Sequence, residues 1–207
     1  MRIAIIDYGA GNLRSVARAV ERVGYVAQVT DRPEDVAAAD AVILPGVGAA
    51  ADTMRNLRIA GMVDVVKEFI ASGRPFLGVC MGLQALLTVS EEGGEHACLD
   101  VIPGRVRRLP EGLKVPHMGW NRVRQVRPHP VFREIPDGAY FYFVHSYVAE
   151  PEDPAVVAGE TEYGTAFPAV IARDNVVATQ FHPEKSGELG LRFYANFLEH
   201  ARVAPAT

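Results

Sequence analysis

Cysteine is scarce in this 207-residue chain, with Cys80 and Cys98 as its two representatives. Two cysteines so far apart cannot frame a disulfide-stapled fold, so the expected compartment is a reducing cytoplasm. Long apolar runs are missing, and nothing approaches the roughly 20 residues that span a bilayer. The N-terminal MRIAIIDYGAG carries one Arg, a short apolar stretch and no small-residue cleavage site, so it reads as a buried strand and not a signal peptide. A basic excess is also lacking: 21 Lys and Arg against 25 Asp and Glu leave a net charge of -4, which argues against nucleic-acid binding. No GxxxxGK[ST] loop occurs, and GAGN after the first apolar run does not complete GxGxxG, because Arg14 follows. The two cysteines and scattered histidines lack metal-ligand spacing, so neither a metal nor a cofactor is expected. What remains is an ordinary globular composition, 49% hydrophobic and 22% charged, in a length that suits one domain spanning residues 1–207.

The first half alternates short apolar runs with helical patterns. Arg2–Asp7 is a continuous apolar run, as expected of a strand buried on both faces. After the GAGN turn, Asn12 is a candidate N-cap for a helix in which Leu13, Val16, Ala17, Val20 and Val23 recur at helical spacing and Gly24 supplies the stop. Further strands are expected at Val26–Val29, Ala41–Leu44 and Phe76–Val79, with helices near Gly61–Ser72 and Met81–Thr88. Strand, turn and helix in repetition mean parallel strands joined by right-handed crossovers, an α/β fold of flavodoxin-like type. The second half is β-rich, with segments at Arg122–Val126, Ala139–Val148, Ala155–Glu160, Ala169–Arg173 and Val176–Gln180. It predicts an antiparallel extension of the same sheet, closed by a helix over Leu189–Ala201. Glu91–His96 reads as a polar loop.

Chemistry concentrates in two segments. In Gly78-Val79-Cys80-Met81-Gly82 an apolar run ends and a helix begins at once, with glycine on both sides of the turn. Such an elbow lifts its central side chain above the C-terminal edge of the sheet, where open parallel sheets hold ligands. The elbow alone suits a nucleophile and a buried structural thiol equally well. Gln180-Phe181-His182-Pro183-Glu184 adds a base and its orienter. Pro183 holds His182 extended, so Glu184, two residues on, can reach the imidazole. A lone His-x-Glu is also a common surface ion pair; beside the Cys80 elbow it completes an acyl-transfer triad. Oxyanion donors would be the Met81 N–H and an N–H of Val47 or Gly48 after a peptide flip in Pro45-Gly46-Val47-Gly48, a segment that serves equally as a plain βα turn.

G-x-C-x-G-x-Q with a late H-P-E resembles the class I glutamine amidotransferases. Within them DYGAGNLRSV, LPGVG, GVCMGLQ, PHMGWN, YFYFVHSY and QFHPEKS resemble the glutaminase subunits of imidazole glycerol phosphate synthase. The resemblance implies Cys80 as nucleophile, His182 as base and Glu184 as orienting acid. It places Gly46 at the substrate, Gln84 and the backbone near His145, Ser146 and Tyr147 at the glutamine α-carboxylate end, and Glu92, with Glu91 as rival, at the α-ammonium. It also implies a (β/α)8-barrel cyclase partner that consumes the ammonia, for which this chain shows no acceptor site. Trp120, in what reads as a turn at His117–Asn121, is a candidate for the partner surface or a partly buried core residue; Asn12 and Lys185 should rim the same edge. Met81 departs from the Leu often found there, and only its backbone N–H matters. Cys98 is read as structural or incidental. The alternatives are the glutaminase of another synthase (pyridoxal phosphate or anthranilate), a non-catalytic α/β scaffold, and a cysteine peptidase of related fold, which Gln84 and Glu184 weaken.

Overall fold

The computed structural model describes residues 1–9 and 11–203; Ala10 of the GAGN turn lies outside them. Strands β1 (Ile3–Ile6), β2 (Ala27–Thr30), β3 (Ala41–Leu44) and β4 (Phe76–Val79) alternate with helices α1 (Leu13–Arg22), α2 (Pro33–Ala37), α3 (Ala50–Ile59) and α4 (Met62–Ala71). β1, β3 and β4 are buried along their whole length, which their runs without a polar residue foretell. One-turn helix α5 (Met81–Gln84) follows β4. Then come β5 (Val89–Ser90), β6 (His96–Ala97), β7 (Gly104–Arg108), β8 (His117–Gln125), β9 (Ala139–His145), β10 (Tyr147–Pro151), β11 (Val157–Glu162), β12 (Ala166–Arg173) and β13 (Val176–Thr179), and helix α6 (Gly187–Val203) closes the chain.

The main sheet has nine strands in the order β2-β1-β3-β4-β13-β12-β11-β8-β9. β2 through β13 run parallel, and β12, β11, β8 and β9 continue antiparallel. The α/β, flavodoxin-like reading with an antiparallel β extension holds. Part of that extension is a separate four-stranded sheet, β10-β7-β5-β6. The Ala139–Val148 run divides at Ser146, where the chain leaves the main sheet for the small one. Of the expected loop Glu91–His96, residues 91–95 form the tip of the β5–β6 hairpin and His96 begins β6, and the expected helix over Met81–Thr88 stops after one turn. His117–Asn121 is not a turn but the first half of β8, paired residue for residue with β9. Helix α3 was not foreseen, though Ala50, Thr53, Met54 and Leu57 form its buried stripe at helical spacing.

Two apolar cores lie on the two faces of the sheet: α1 and α6 cover one, and α2, α3 and α4 the other. β1, β3, β4 and β13 are consecutive neighbours, and their C-terminal ends carry Asn12, the Pro45–Gly48 turn, Cys80 and Gln180–Glu184. Four segments far apart in sequence therefore converge on one edge.

Candidate active site

The elbow is built from close backbone approach. A Cβ on Gly82 would lie 2.0 Å from the Leu44 carbonyl oxygen, and one on Gly78 would lie 2.7 Å from the Gly82 oxygen. Glycine at both positions lets β3, β4 and α5 pack this tightly. Cys80 itself has φ 54 and ψ -102, a strained backbone for a residue with a Cβ, and it is 6% exposed. Because α5 is a single turn, its dipole offers the thiol little; the charged neighbours matter more.

Those neighbours are in place. His182 Nδ1 lies 2.7 Å from Glu184 Oε1, with both side chains fully buried. Since a carboxylate only accepts, Nδ1 carries the proton and Nε2 is left as the acceptor in neutral imidazole. Nε2 is buried without a hydrogen-bond partner. Burial alone would lower the imidazole pKa, but a Cys80 thiolate and the Glu184 carboxylate outweigh it and push it up to about 10. The imidazole is thereby held toward its protonated form, with the Cys80 sulfur on one side and the Glu184 carboxylate on the other.

Glu184 is in turn held. Asn12 Nδ2 donates to Glu184 Oε1 at 2.6 Å, and the Tyr194 hydroxyl lies 3.4 Å from Oε2. The 3.5 Å approach of Asn12 Nδ2 to His182 Nδ1 joins two donors and is not a bond. Asn12 occupies the N-cap position of α1 with φ 76 and makes no side-chain cap, so the capping expected of it does not occur. Its side chain turns to Glu184 instead. Ser186 fastens the backbone of this segment, donating to the His182 carbonyl and accepting from the Tyr142 N–H.

Gln84 is buried, and its Nε2 donates to the Tyr147 carbonyl (2.9 Å) and to Gln180 Oε1 (3.1 Å). Both of its N–H groups are engaged, and Oε1 is buried without a partner. Gln84 thus does not suit a carboxylate; what it has left accepts from an ammonium or carboxamide. His145 Nδ1 also meets the Tyr147 carbonyl, and burial pushes its pKa down to about 3, which keeps it neutral. Its Nε2 therefore accepts from His117 Nδ1 at 2.9 Å. Ser146, between β9 and β10, accepts the Leu109 N–H on its carbonyl. Glu92 Oε2 accepts the Ala50 N–H at the start of α3, just beyond the Gly46–Gly48 turn, whereas Glu91 pairs with Arg105. Gly46 is pressed against Met81 and the Tyr8 hydroxyl, whose bond to the Pro45 carbonyl (3.0 Å) pins the turn's base. Gly48, at φ 101, has open space around its Cα. Of the rim residues, Trp120 and Lys185 are exposed, and Lys185 Nζ stands 6.0 Å above the Tyr142 ring. Among the described residues there is no three-residue metal cluster, and no helix is long and apolar enough to cross a membrane.

Tyr8, Gln180, Ser186 and Tyr194 were not foreseen as parts of this edge. Gln180 alone had a signal, its place beside Phe181-His182; the others reach the site through long-range contacts that leave no local pattern.

Cys80, His182 and Glu184 thus lie together, buried, at the C-terminal edge of a flavodoxin-like sheet. Residues 4–201 match the family model for class-I glutamine amidotransferases, and the chain belongs to that family. It is 56% identical over 200 residues to the imidazole glycerol phosphate synthase subunit HisH of Chloroflexus aurantiacus, covering 95% of this chain and 94% of that one. It is 55% identical to the HisH subunit of Moorella thermoacetica, covering 98% and 96%. A solved glutamine amidotransferase shares the fold with a TM-score of 0.77 at 23% identity, covering 97% and 99% of the two chains.

Proposed function

We propose that this chain is the glutaminase subunit of imidazole glycerol phosphate synthase and works as one amidotransferase domain. It hydrolyses glutamine to glutamate and ammonia and passes the ammonia to a (β/α)8-barrel cyclase subunit. That partner makes imidazole glycerol phosphate and aminoimidazole carboxamide ribotide in histidine biosynthesis. The observation that carries the reading is the strained, buried Cys80 coupled to a His182 whose Nδ1 is locked onto Glu184 at 2.7 Å. The extent and level of identity to HisH subunits over nearly the whole chain favour this synthase over the pyridoxal phosphate and anthranilate types.

The Cys80 thiolate attacks the side-chain carboxamide carbon, and the oxyanion forms against backbone donors at Met81 and at Val47 or Gly48. The imidazolium of His182 gives its Nε2 proton to the departing nitrogen, leaving ammonia and a γ-glutamyl thioester. His182 then takes a proton from water, the hydroxide adds to the thioester, and collapse releases glutamate and the thiolate. Glu92 meets the substrate ammonium and Gln84 Oε1 a substrate donor, while backbone N–H groups at Ser146 and Tyr147 meet the carboxylate. Both thiols are free, which suits the cytoplasm.

The partner face proposed is the β8–β9 ribbon. Met118 and Trp120 are 63% and 56% exposed, Trp120 stands opposite Tyr142, and Arg122 lies over Tyr140. Aromatic and Arg side chains in this density suit an interface centre. The ribbon adjoins the site through the Tyr142 carbonyl, which accepts the His182 N–H. The test is glutamine hydrolysis with and without the cyclase and its ligand. Activity lost in Cys80→Ala supports the reading; turnover retained in that variant overturns it.

A further inference from the structure

We propose that the side-chain amide of Gln180 is a further catalytic group, donating an N–H to the Cys80 sulfur and holding it as a thiolate aligned for attack. The proposal rests on Cys80 as nucleophile and assigns a second partner to its sulfur besides His182.

Gln180 is fully buried and directly follows β13, two residues before His182, so the strand end that places the base also places this amide. Its backbone N–H is fixed on the Ala169 carbonyl of β12 at 2.9 Å. Its side-chain orientation follows from one carbonyl. The Tyr147 oxygen can only accept, so the Gln84 atom 2.9 Å from it is the nitrogen Nε2. The second hydrogen on that nitrogen points at Gln180, and the atom receiving it at 3.1 Å must be Oε1. Gln180 Nε2 is thereby turned to the Cys80 sulfur, 3.6 Å away.

Two groups therefore pull the sulfur in opposite directions. The Val144 carbonyl, 3.9 Å from the sulfur, can only accept and so favours the protonated thiol. The Gln180 N–H can only donate and favours the thiolate, since a donor bonds an anion more strongly than a neutral acceptor. When His182 takes the thiol proton, the Val144 contact loses its hydrogen and the Gln180 contact strengthens. The titratable groups whose charges act at this sulfur are His182, with Glu184 behind it, and Tyr8, two residues past β1; His145 feels the charge of His182.

The test reads the sulfur alone, without glutamine or partner. Full-length protein carrying Cys98→Ser, so that one thiol reports, is alkylated with iodoacetamide across a pH series, and the pH of half-maximal rate is compared with that of two variants. Gln180→Met keeps the side chain's length and removes the donor. Gln180→Glu keeps an acceptor for Gln84 and removes the N–H from the sulfur. Thermal melting confirms that each is folded. Both midpoints should rise, by about one pH unit for the neutral variant, which corresponds to roughly tenfold slower alkylation below the midpoint, and at least as far for the charged one. A midpoint unmoved in either folded variant overturns the proposal and leaves Gln180 as a prop for Gln84. Full glutamine turnover in Cys80→Ser would instead overturn the nucleophile assignment, an outcome separable from the alkylation result.

Discussion

Asn12 turns its side chain away from its own helix. Asparagine at an N-cap ordinarily accepts from the second or third helical N–H, yet here its amide donates to Glu184 Oε1 at 2.6 Å. The same oxygen receives the His182 Nδ1–H at 2.7 Å, so Asn12 helps hold the Glu184 side chain in the position from which it orients the imidazole. Asn12→Ala should lower kcat for glutamine hydrolysis in the synthase complex about tenfold, on the scale of one bond to a charged group, with KM nearly unchanged. Asn12→Asp should do more harm, because it sets a second carboxylate beside Glu184. Steady-state kinetics decide between this and a helix-capping role, which would depress the melting temperature with kcat spared. The grouping of Cys80, His182 and Glu184 was legible in sequence for a local reason. Cys80 is marked by its elbow, and His182 and Glu184 sit two apart on an extended segment, where same-side projection follows from backbone geometry. Asn12 lies 172 residues from Glu184, and no spacing rule joins them.

At the scale of elements, the parallel half was readable because β1, β3 and β4 are apolar throughout and their turns carry glycine. The tightest of these glycines is a direct test of the elbow. Gly82→Ala places a Cβ 2.0 Å from the Leu44 carbonyl oxygen, and backbone, not a flexible side chain, must yield. A loss of stability of about 1–3 kcal/mol or more is expected, visible as a lower melting temperature and accompanied by loss of glutaminase activity as the Met81 N–H moves. β8 was misread because Gly119 and Asn121 look like turn residues, although its burial alternates as a strand requires, with His117 and Val123 inward and Met118 and Trp120 outward. The break at Ser146 leaves no mark in the sequence, since a strand changing sheets keeps its apolar period.

A second element-scale test concerns His129, which caps the short 3-10 turn Pro130–Phe132 by accepting the Val131 N–H on Nδ1. Burial, with Arg127 and His200 nearby, pushes its pKa down to about 4. A histidine whose folded pKa lies below the unfolded value binds fewer protons when folded, so its contribution to stability is present above about pH 6.5 and is lost as pH falls toward 4. His145, held near 3 by burial, acts in the same direction and further into acid. The urea midpoint should therefore decline across this window. His129→Asn retains a capping oxygen without a titrating ring and should flatten part of the decline; an unchanged slope would remove His129 as a cause.

At the scale of the whole molecule, the sheet order makes the catalytic edge and the antiparallel extension supplies the exposed ribbon beside it. β9 is the terminal strand of the nine-stranded sheet, yet its Tyr142 carbonyl holds the His182 N–H and its Val144 carbonyl borders the Cys80 sulfur. A partner seated on the ribbon would thus press on a strand that touches both His182 and Cys80. Trp120 stands at the middle of the ribbon's outer face, its ring 6.1 Å from that of Tyr142 and edge-on to it. A half-exposed Trp contributes little to the fold of the free chain, but an aromatic anchor buried at an interface centre is typically worth about 2 kcal/mol or more on truncation. Trp120→Ala should therefore weaken binding to the cyclase about thirtyfold, measured by calorimetric titration, while the melting temperature of the isolated chain stays within a degree or so. Unchanged affinity would move the partner off this ribbon. Weakened affinity with full turnover at saturating cyclase would mean that the ribbon docks the partner without transmitting its state to Cys80.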